Sequence, residues 1–373
     1  MNIIFVGGGT AGHINPALAL AEFVKKKDPT AKILYVGAKG GMEEKLVLQA
    51  GFDFKGITIS GFSRKMDLNA LKKNLKTLKN IIISSFESRK ILKEFNPDIC
   101  VGTGGYVCGP FLREAYNMKI PFLIHDSNSF PGITTKLLAK KASRVLIINE
   151  DVKKYLPEKI NVTVTGTPVR ENILKLKENP KNAKGALGLS ENPTILSFGG
   201  SLGAKAINKV MAEIITKKEN NFNFIHGYGR SGQDFLKTLE ENKVDISNKS
   251  KYIIKEYINN MSQCLAAADL VICRAGATTL SEIEATSKPA ILIPSPNVAE
   301  NHQFHNAMAL VSKNAASIIE EKNLTEDSLT KEINKILGNH GEIAKEYSDN
   351  LKNISIADSD EKIYKIIMDI VKK

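Results

Sequence analysis

Tryptophan is absent from the sequence and cysteine is scarce. The four cysteines, Cys100, Cys108, Cys264 and Cys273, form no C-x-x-C pair and no Cys/His spacing of a metal site. We therefore expect no structural zinc and a reducing, cytoplasmic setting. No apolar run reaches the roughly 18 residues of a membrane-spanning helix. The chain starts directly with a predicted strand, so we expect no cleavable signal peptide.

The net charge of +12, from 52 basic and 40 acidic side chains, favours an anionic partner. Nucleic acid is disfavoured, because the chain has neither a basic strand studded with aromatic residues nor a recognisable binding module. A phospholipid or a phosphorylated substrate remains, although a lysine-rich proteome explains the excess equally well. The length of 373 residues predicts two domains, each with its own core.

A glycine loop directly follows the first predicted strand. Gly7, Gly9 and Gly12 satisfy the G-x-G-x-x-G spacing, and a helix is predicted from Pro16 onward. A helix N-terminus behind such a loop suits an anion. The second predicted strand ends at residues 37–40 without the carboxylate that a nicotinamide-dinucleotide site requires. The loop is therefore interpreted as a phosphate or sugar cradle and not as an NAD site.

His13 follows the last glycine of this loop. A nearby helix N-terminus disfavours the imidazolium form, so the ring is expected to stay neutral and able to accept a proton. A histidine that merely caps or packs the turn is the alternative. Its place inside a glycine loop favours the catalytic interpretation.

Predicted strands alternate with helices along the whole chain, which indicates an α/β fold with parallel sheets. The order of strand, glycine loop and helix occurs a second time from residue 194 onward, with Ser201 in this second loop. Two Rossmann-like domains follow, which we place at residues 1–166 and 167–345. Residues 346–373 form a C-terminal helical segment that is expected to pack back on the first domain.

Residues 62–93 have their own pattern. Apolar residues recur at intervals of three and four and would form one helical stripe: Leu68, Leu71, Leu75, Leu78, Ile82 and Phe86. Basic residues dominate the rest of the stretch: Arg64, Lys65, Lys72, Lys73, Lys76 and Lys79. Such a helix suits an anionic membrane surface, but a helix with a buried apolar stripe and solvated lysines fits the same pattern.

Two further stretches in the second half carry candidate ligand groups. Thr278 or Thr279 is expected to cap a helix after a strand, with Glu282 in its first turn. Glu282 is either part of that cap or an acceptor for the hydroxyls of a ribose. Gln303 and Asn306 lie in a polar helix start, and each amide can donate to and accept from sugar hydroxyls.

Five sequence motifs occur in the order seen in the MurG family, the N-acetylglucosaminyltransferases of peptidoglycan synthesis, which the chain resembles over nearly its whole length. They are residues 8–13, 102–110, 167–170, 199–204 and 273–282. The resemblance implies the GT-B fold, two Rossmann-like domains facing each other across a cleft, with acceptor and membrane contacts on the first domain and donor binding on the second. It also implies transfer of GlcNAc from UDP-GlcNAc to the C4 hydroxyl of MurNAc in lipid I, with inversion and without a metal or cofactor. Lipid I, an undecaprenyl-diphosphate-linked MurNAc-pentapeptide, implies a peripheral enzyme on the cytoplasmic face of an anionic membrane.

The resemblance implies that His13 is the general base. The other matching residues are substrate contacts: Thr10, Ala11 and Gly12 in the first donor loop, Asn128 at the GlcNAc hydroxyls, Arg170 and Ser201 at the nucleotide and its phosphate, Ile258 at uracil, Ala277, Thr278, Thr279, Leu280, Ser281 and Glu282 at phosphate and ribose, and Gln303 at the sugar.

The sequence departs from the family pattern at three positions. Ala11 stands where the family usually has glycine, and Asp126 and Ser127 stand where it has glutamate and glutamine. The shorter side chains reach less far, so a role for either is in question, whereas Asn128 keeps its place. A GT-B enzyme with another acceptor, a sugar-nucleotide epimerase and a non-catalytic nucleotide-sugar binder are the alternatives.

Overall fold

The computed structural model describes residues 1–60, 68–174, 180–200, 202–217 and 221–372. The chain divides into two compact units. Unit 1 comprises Met1–Arg170 with Ile356–Lys373, and unit 2 comprises Glu171–Ser355. The division after Arg170 lies slightly beyond the predicted one after residue 166. At the other end, residues 346–355 belong to unit 2, so only the last part of the predicted C-terminal segment belongs to unit 1.

Unit 1 contains a seven-stranded sheet in which every neighbouring pair is parallel. Its strands are β1 (Asn2–Gly7), β2 (Lys32–Ala38), β3 (Asp53–Ile57), β4 (Ile99–Gly104), β5 (Phe122–Asp126), β6 (Arg144–Ile147) and β7 (Val162–Val164). Its helices are α1 (Ala11–Lys27), α2 (Met42–Gln49), α3 (Leu68–Phe95), α4 (Cys108–Asn117), α5 (Ile133–Leu138) and α15 (Ser359–Val371), with a 3₁₀ helix at Glu150–Tyr155. The strand order is β3-β2-β1-β4-β5-β6-β7.

Alternation along the strands gives unit 1 a core on each face of its sheet. Ile3 and Phe5 of β1 pack in one core with α1, whereas Ile4 and Val6 pack in the other with α4. Each fully buried side chain of this kind contributes roughly 1.5–3 kcal/mol. Helix α15 returns to the first of these cores, with Ile363, Ile366 and Ile367 buried in it.

Unit 2 contains a six-stranded parallel sheet in the order β10-β9-β8-β11-β12-β13. Its strands are β8 (Thr194–Phe198), β9 (Asn223–Gly227), β10 (Tyr252–Lys255), β11 (Leu270–Cys273), β12 (Ala290–Leu292) and β13 (Ser317–Ile318). Its α-helices are α6 (Glu171–Leu174), α7 (Pro180–Ala186), α8 (Lys205–Thr216), α9 (Gln233–Glu241), α10 (Met261–Ala267), α11 (Ala277–Thr286), α12 (His302–Val311), α13 (Glu326–Leu337) and α14 (Glu342–Ile354). Three 3₁₀ turns lie at Ala299–Asn301, Glu321–Asn323 and Asn339–Gly341. Strand β13 was not expected, because two residues are too few for a sequence pattern.

The described part of helix α3 buries a row of polar side chains, Thr77, Asn80, Ser84 and Ser88, and packs Ile91 and Leu92 in the core near its C-terminus. Ile82 and Phe86 of the predicted apolar stripe are 62% and 72% exposed. The interpretation that this stripe is buried in the core is therefore wrong for these two residues. Arg64, Lys65 and the side chains of Lys72, Lys73 and Lys76 lie outside the described part.

Candidate active site

The carboxyl ends of the parallel strands place the candidate residues at one edge of each sheet. In an open parallel sheet, ligands bind where the strand order reverses. In unit 1 the order reverses between β1 and β4, and in unit 2 between β8 and β11. The loops that follow these four strands carry four of the five sequence motifs.

The first glycine loop leads directly into α1, which begins at Ala11 and not near Pro16 as expected. Thr10 is the residue before the helix, and Ala11, Gly12 and His13 form its first turn. The amides of Ala11 and Gly12 precede the intrahelical hydrogen bonds, as at any helix N-terminus, whereas His13 N–H donates to Thr10 O at 3.0 Å. His13 is therefore part of the helix end and not a residue that precedes it.

The His13 ring is oriented by the end of β4. Its Nδ1 lies 3.1 Å from the carbonyl oxygen of Thr103. A carbonyl oxygen can only accept, so Nδ1 carries the hydrogen, and the basic lone pair of the neutral ring lies on Nε2. Gly104 has φ +112°, and a Cβ there would lie 2.5 Å from Nδ1. A glycine is therefore required beside the ring.

Glu43 is a buried carboxylate that the sequence reading missed. It lies on α2, shortly after the strand that was judged to end without a carboxylate. Its Oε1 accepts from Ala38 N–H at 2.8 Å, and its Oε2 accepts from Gly9 N–H at 3.3 Å. The Glu43 carboxylate thus links the first glycine loop, at Gly9, to the end of β2, at Ala38.

The glycines of this loop make room for the protein's own side chains. A Cβ on Gly7 would collide with Thr103 Oγ1, one on Gly8 with Glu43, and one on Gly9 would lie 3.1 Å from the Tyr106 ring. The close approach is therefore made by neighbouring residues, and the loop glycines need no ligand to explain them. Burial, together with the Glu43 charge, raises the pKa of Tyr106.

The end of β5 sends neighbouring side chains in different directions, as expected for a strand. His125 Nε2 donates to Gly166 O at 2.8 Å, and burial lowers the pKa of this ring. The Ser127 hydroxyl lies 3.3 Å from His125 Nδ1. Asp126 instead accepts from Asn128, Gly132 and Thr135. His125 and Asp126 therefore do not form a proton-transfer pair.

The second glycine loop, in unit 2, precedes α8. Gly200 and Gly203 have φ of +88° and +81°, and a Cβ on Gly203 would collide with Tyr228 O. Asn208 of α8 donates to the same carbonyl oxygen at 2.8 Å. Ser201, the predicted phosphate contact of this loop, lies outside the described residues.

The loop after β11 differs from expectation at its helix start. Gly276 is the N-cap residue and α11 begins at Ala277, so neither Thr278 nor Thr279 caps the helix. Glu282 lies beyond the first turn and is buried, which removes the capping-box interpretation. Buried Thr278 Oγ1 has no hydrogen-bond partner among the described residues.

The remaining predicted residues of this helix use their groups internally. Leu280 packs in the core, and its amide donates to Gly276 O at 3.0 Å. Ser281 Oγ donates to Ala277 O at 3.0 Å. Ahead of the helix, Arg274 donates to the carbonyl oxygens of Ile293 and Pro294 and forms an ion pair with Glu321. Arg274 thereby ties this loop to the end of β12.

The segment after β12 positions Gln303. Its Oε1 accepts from Ser295 N–H at 2.8 Å, so Nε2 remains to donate to a ligand. Glu300 and Asn301 adopt φ of +47° and +50°, a left-handed backbone that is uncommon for such residues and concentrates at functional sites. Asn306, in contrast, is buried, and its Nδ2 donates to Ala275 O at 3.3 Å.

A cavity of about 290 Å³ is lined by residues that flank Gln303 in the sequence. They include Ser295, Asn301 and Phe304, together with Glu321. Two further predicted residues lie elsewhere. The Ile258 side chain is buried against Gly227, and Arg170 is the last residue of the first segment of unit 1, directly before unit 2.

The described residues contain no group of three or more His, Cys, Asp or Glu side chains that could hold a metal ion. Among their helices, none is long and apolar enough to span a membrane.

Two parallel-sheet units, each with a glycine loop and a helix N-terminus at its switch point, fit the GT-B class of glycosyltransferases, and family models assign the chain to this class. The model of the glycosyltransferase family 28 N-terminal domain matches residues 3–147, and that of the C-terminal domain matches residues 194–363.

Similar proteins show to which family within this class the chain belongs. UDP-N-acetylglucosamine–N-acetylmuramyl-(pentapeptide) pyrophosphoryl-undecaprenol N-acetylglucosamine transferase of Acetivibrio thermocellus is 42% identical over 100% of this chain and 99% of the relative. The protein of that name from Thermoanaerobacter sp. is 44% identical over 99% of this chain and 100% of the relative. The crystal structure of Acinetobacter baumannii MurG superposes with a TM-score of 0.76 at 25% identity, covering 99% of both chains. The chain belongs to the MurG family of glycosyltransferases.

Proposed function

We propose that the chain transfers GlcNAc from UDP-GlcNAc to the C4 hydroxyl of MurNAc in lipid I, forming lipid II. The names of its relatives supply the two substrates. The observation that carries the proposal is the hydrogen bond from His13 Nδ1 to Thr103 O, which leaves the basic lone pair on Nε2.

His13 acts as the general base. Its Nε2 takes the proton of the acceptor hydroxyl while that oxygen attacks C1 of GlcNAc, the bond from C1 to the diphosphate oxygen breaks, and UDP leaves. The new bond forms opposite the leaving group, so the configuration inverts. The imidazolium keeps its Nδ1–H bond to Thr103 O throughout, so the ring need not turn during proton transfer.

Unit 2 binds the donor. Amides at the N-termini of α8 and α11 face the switch point and suit the diphosphate, with Ser201 and Thr278 as hydroxyl donors. Glu282 accepts from the ribose hydroxyls, and Gln303 Nε2 donates to a sugar hydroxyl. The backbone at Ile258 contacts uracil, and Arg170 contacts the nucleotide. Fixed amides that stabilise the leaving diphosphate make a metal ion unnecessary in this mechanism.

The first loop contributes differently. The amides of Ala11 and Gly12, together with Thr10, lie beside His13 and contact the substrates there. Asn128 presents its side-chain oxygen to a GlcNAc hydroxyl. The Ala11 methyl group is compatible with this role, because the helix already begins at that residue.

The test is UDP release from UDP-GlcNAc in EDTA, with and without a lipid I analogue. We expect release only with the analogue. Release without it would indicate hydrolysis or epimerisation and would contradict the transferase proposal, as would an acceptor that works equally well without a lipid diphosphate. His13→Asn is the matched variant, because its amide can still donate to Thr103 O but has no basic nitrogen. We expect this variant to bind UDP-GlcNAc normally and to release no UDP.

An outward apolar surface on unit 1 supports peripheral attachment to the cytoplasmic face of an anionic membrane. It consists of Ile82 and Phe86 of α3 with Ile133 and Leu137 of α5, all more than 60% exposed. Helix α4 packs against both helices and adds Tyr116, with Lys141 Nζ 5.1 Å from its ring. Exposed apolar side chains with a lysine beside them match a membrane interface.

Vesicle sedimentation tests the attachment. We expect the protein to bind vesicles that contain anionic lipid and to bind zwitterionic vesicles weakly. The double variant Ile82→Ser/Phe86→Ser should lose most of this binding and keep its affinity for UDP. Leu48→Ser, which changes an exposed leucine of α2 outside this surface, is the control. Unchanged binding of the double variant would contradict the proposed surface.

A further inference from the structure

Thr103 contacts His13 twice. Its carbonyl oxygen accepts from the ring at Nδ1, 3.1 Å away. Its hydroxyl donates to the backbone oxygen of His13 at 2.6 Å and also lies 3.3 Å from Val6 O. One buried residue at the end of β4 therefore fixes both the ring and the first helical turn that carries it.

The neighbouring glycines are arranged around this pair. A side chain on Gly7 would collide with Thr103 Oγ1, and one on Gly104 would displace the His13 ring. Both glycines lie at the ends of adjacent strands, β1 and β4, where the strand order reverses. Their missing side chains create the space in which Thr103 and His13 meet.

General bases are commonly oriented by a third group that bonds to their second nitrogen. A carboxylate often serves, but here the partner is a backbone carbonyl, which cannot move independently of its strand. The Thr103 hydroxyl adds a second attachment, from the same residue to the backbone of His13. The position of Nε2 thus depends on one residue that need not touch either substrate.

We propose that Thr103 is the positioning residue of the transferase, which fixes the Nδ1–H tautomer of His13 and the position of its Nε2 through two hydrogen bonds. This inference rests on the proposed role of His13 as the base. It assigns no proton transfer to Thr103 itself.

Kinetics of Thr103→Val and Thr103→Ser test the hydroxyl. Valine keeps the shape and the backbone carbonyl but removes the donor, and serine restores it. We expect Thr103→Val to lower kcat by about tenfold to a hundredfold, the cost of a small misplacement of a reacting group. The KM for UDP-GlcNAc should stay within about twofold, because His13 and not the donor site is displaced. Thr103→Ser should recover most of kcat.

Thr165→Val is the matched control. Thr165 is also a buried threonine of unit 1, and its hydroxyl donates to a neighbouring backbone oxygen, Gly166 O, at 3.1 Å. We expect this variant to keep kcat near the wild-type value. An equal loss of kcat in Thr165→Val and Thr103→Val would show a general effect of removing a buried hydroxyl and would overturn the proposal.

Nitrogen-15 NMR of the His13 imidazole gives a readout that does not depend on a variant folding. In the wild-type protein the neutral ring should carry its proton on Nδ1, and a neutral ring protonated on Nε2 would overturn the proposal. In Thr103→Val the proportion of the Nδ1–H tautomer should fall. If His13→Asn is inactive while Thr103→Val keeps the wild-type kcat and tautomer, the positioning role is wrong and the base remains. If His13→Asn keeps the wild-type kcat, the base assignment itself fails.

Discussion

Asp126 accepts two hydrogen bonds from Asn128, from the backbone N–H and from side-chain Nδ2, both at 3.1 Å. Both arrive at Oδ1, whereas Oδ2 accepts from Gly132 N–H and Thr135 Oγ1 at 2.9 and 2.6 Å. Because Nδ2 of Asn128 is directed at the carboxylate, its Oδ1 is the atom turned away. The Asp126 carboxylate is thus bonded to the protein, and it orients Asn128, the proposed sugar contact.

Replacing Asp126 with alanine is expected to weaken binding of the donor sugar but not of its nucleotide. The Asn128 side chain loses its orienting partner, and one hydrogen bond of about 1 kcal/mol corresponds to roughly a fivefold loss of affinity. Isothermal titration calorimetry with UDP-GlcNAc and with UDP measures the two affinities separately. We expect only the first to fall.

Thr135→Val distinguishes the orientation of Asn128 by Asp126 from the stabilisation of α5 by Asp126. It removes a bond to the α5 side of Asp126 and leaves both bonds to Asn128. It should lower the melting temperature without changing the affinity for UDP-GlcNAc. Equal losses of affinity in both variants would assign Asp126 to the stability of α5 alone.

Acid is expected to destabilise the protein partly through His226. This ring is buried against Phe235, with centroids 4.3 Å apart, and burial lowers its pKa from 6.5 to about 3. Between these values the unfolded chain binds a proton that the folded protein does not, so stability falls as the pH falls through this window. The contribution lost between pH 7.5 and 5 is about 2 kcal/mol.

Urea denaturation of the wild type and of His226→Gln at pH 7.5 and 5 measures this contribution. The difference between the two proteins isolates His226 from other titrating groups, such as the buried His125. The loss on acidification should be about 2 kcal/mol smaller in the variant. Equal losses would place the acid sensitivity elsewhere.

The buried Glu43 carboxylate is expected to be required for the first glycine loop. In Glu43→Gln an NH₂ group faces either Ala38 N–H or Gly9 N–H, and each is a donor. An unsatisfied buried donor costs about 1–3 kcal/mol of stability. We expect a lower denaturation midpoint and reduced turnover with unchanged UDP affinity. Glu44→Gln is the matched control, since its carboxylate accepts from Gly40 N–H in an exposed hydrogen bond.

Thr278→Val is expected to change stability and ligand affinity in opposite directions. The Thr278 hydroxyl is buried without a described partner, so an isosteric methyl group should raise the melting temperature of the ligand-free protein. If the hydroxyl donates to the diphosphate, UDP affinity should fall several-fold. Thr216→Val, at the end of α8, serves as a control for the general effect of the substitution. A variant that binds UDP normally would exclude the hydroxyl as a ligand.

Local patterns were enough to predict the α/β fold, because each apolar strand, the loop after it and the following helix can be recognised from a short run of neighbouring residues. The glycine loops and the polar strand ends fall together for a geometric reason: parallel strands place their carboxyl ends at one edge. His13 was identified in this way. The start of α11 was misplaced because Thr278 and Thr279 are good capping residues, whereas Gly276 provides the helix start without any side chain.

Features that depend on tertiary contacts could not be predicted from the local sequence patterns. An apolar stripe predicts a buried helix face, but α3 buries polar residues such as Asn80 and Ser84 and exposes Ile82 and Phe86. No periodicity tells which face meets the sheet. The role of Glu43 was likewise not predicted, because it depends on Gly8 and Gly9, which lie far from Glu43 in the sequence and against it in space.

Helix α15 completes the core of unit 1 only after the whole of unit 2 has been made. On the ribosome, the sheet of unit 1 therefore emerges early, with the place of Ile363 and Ile367 still vacant. Unit 2 is one continuous segment and can fold as soon as it leaves the exit tunnel. Unit 1, which holds the proposed base, is therefore the last of the two units to receive its complete core.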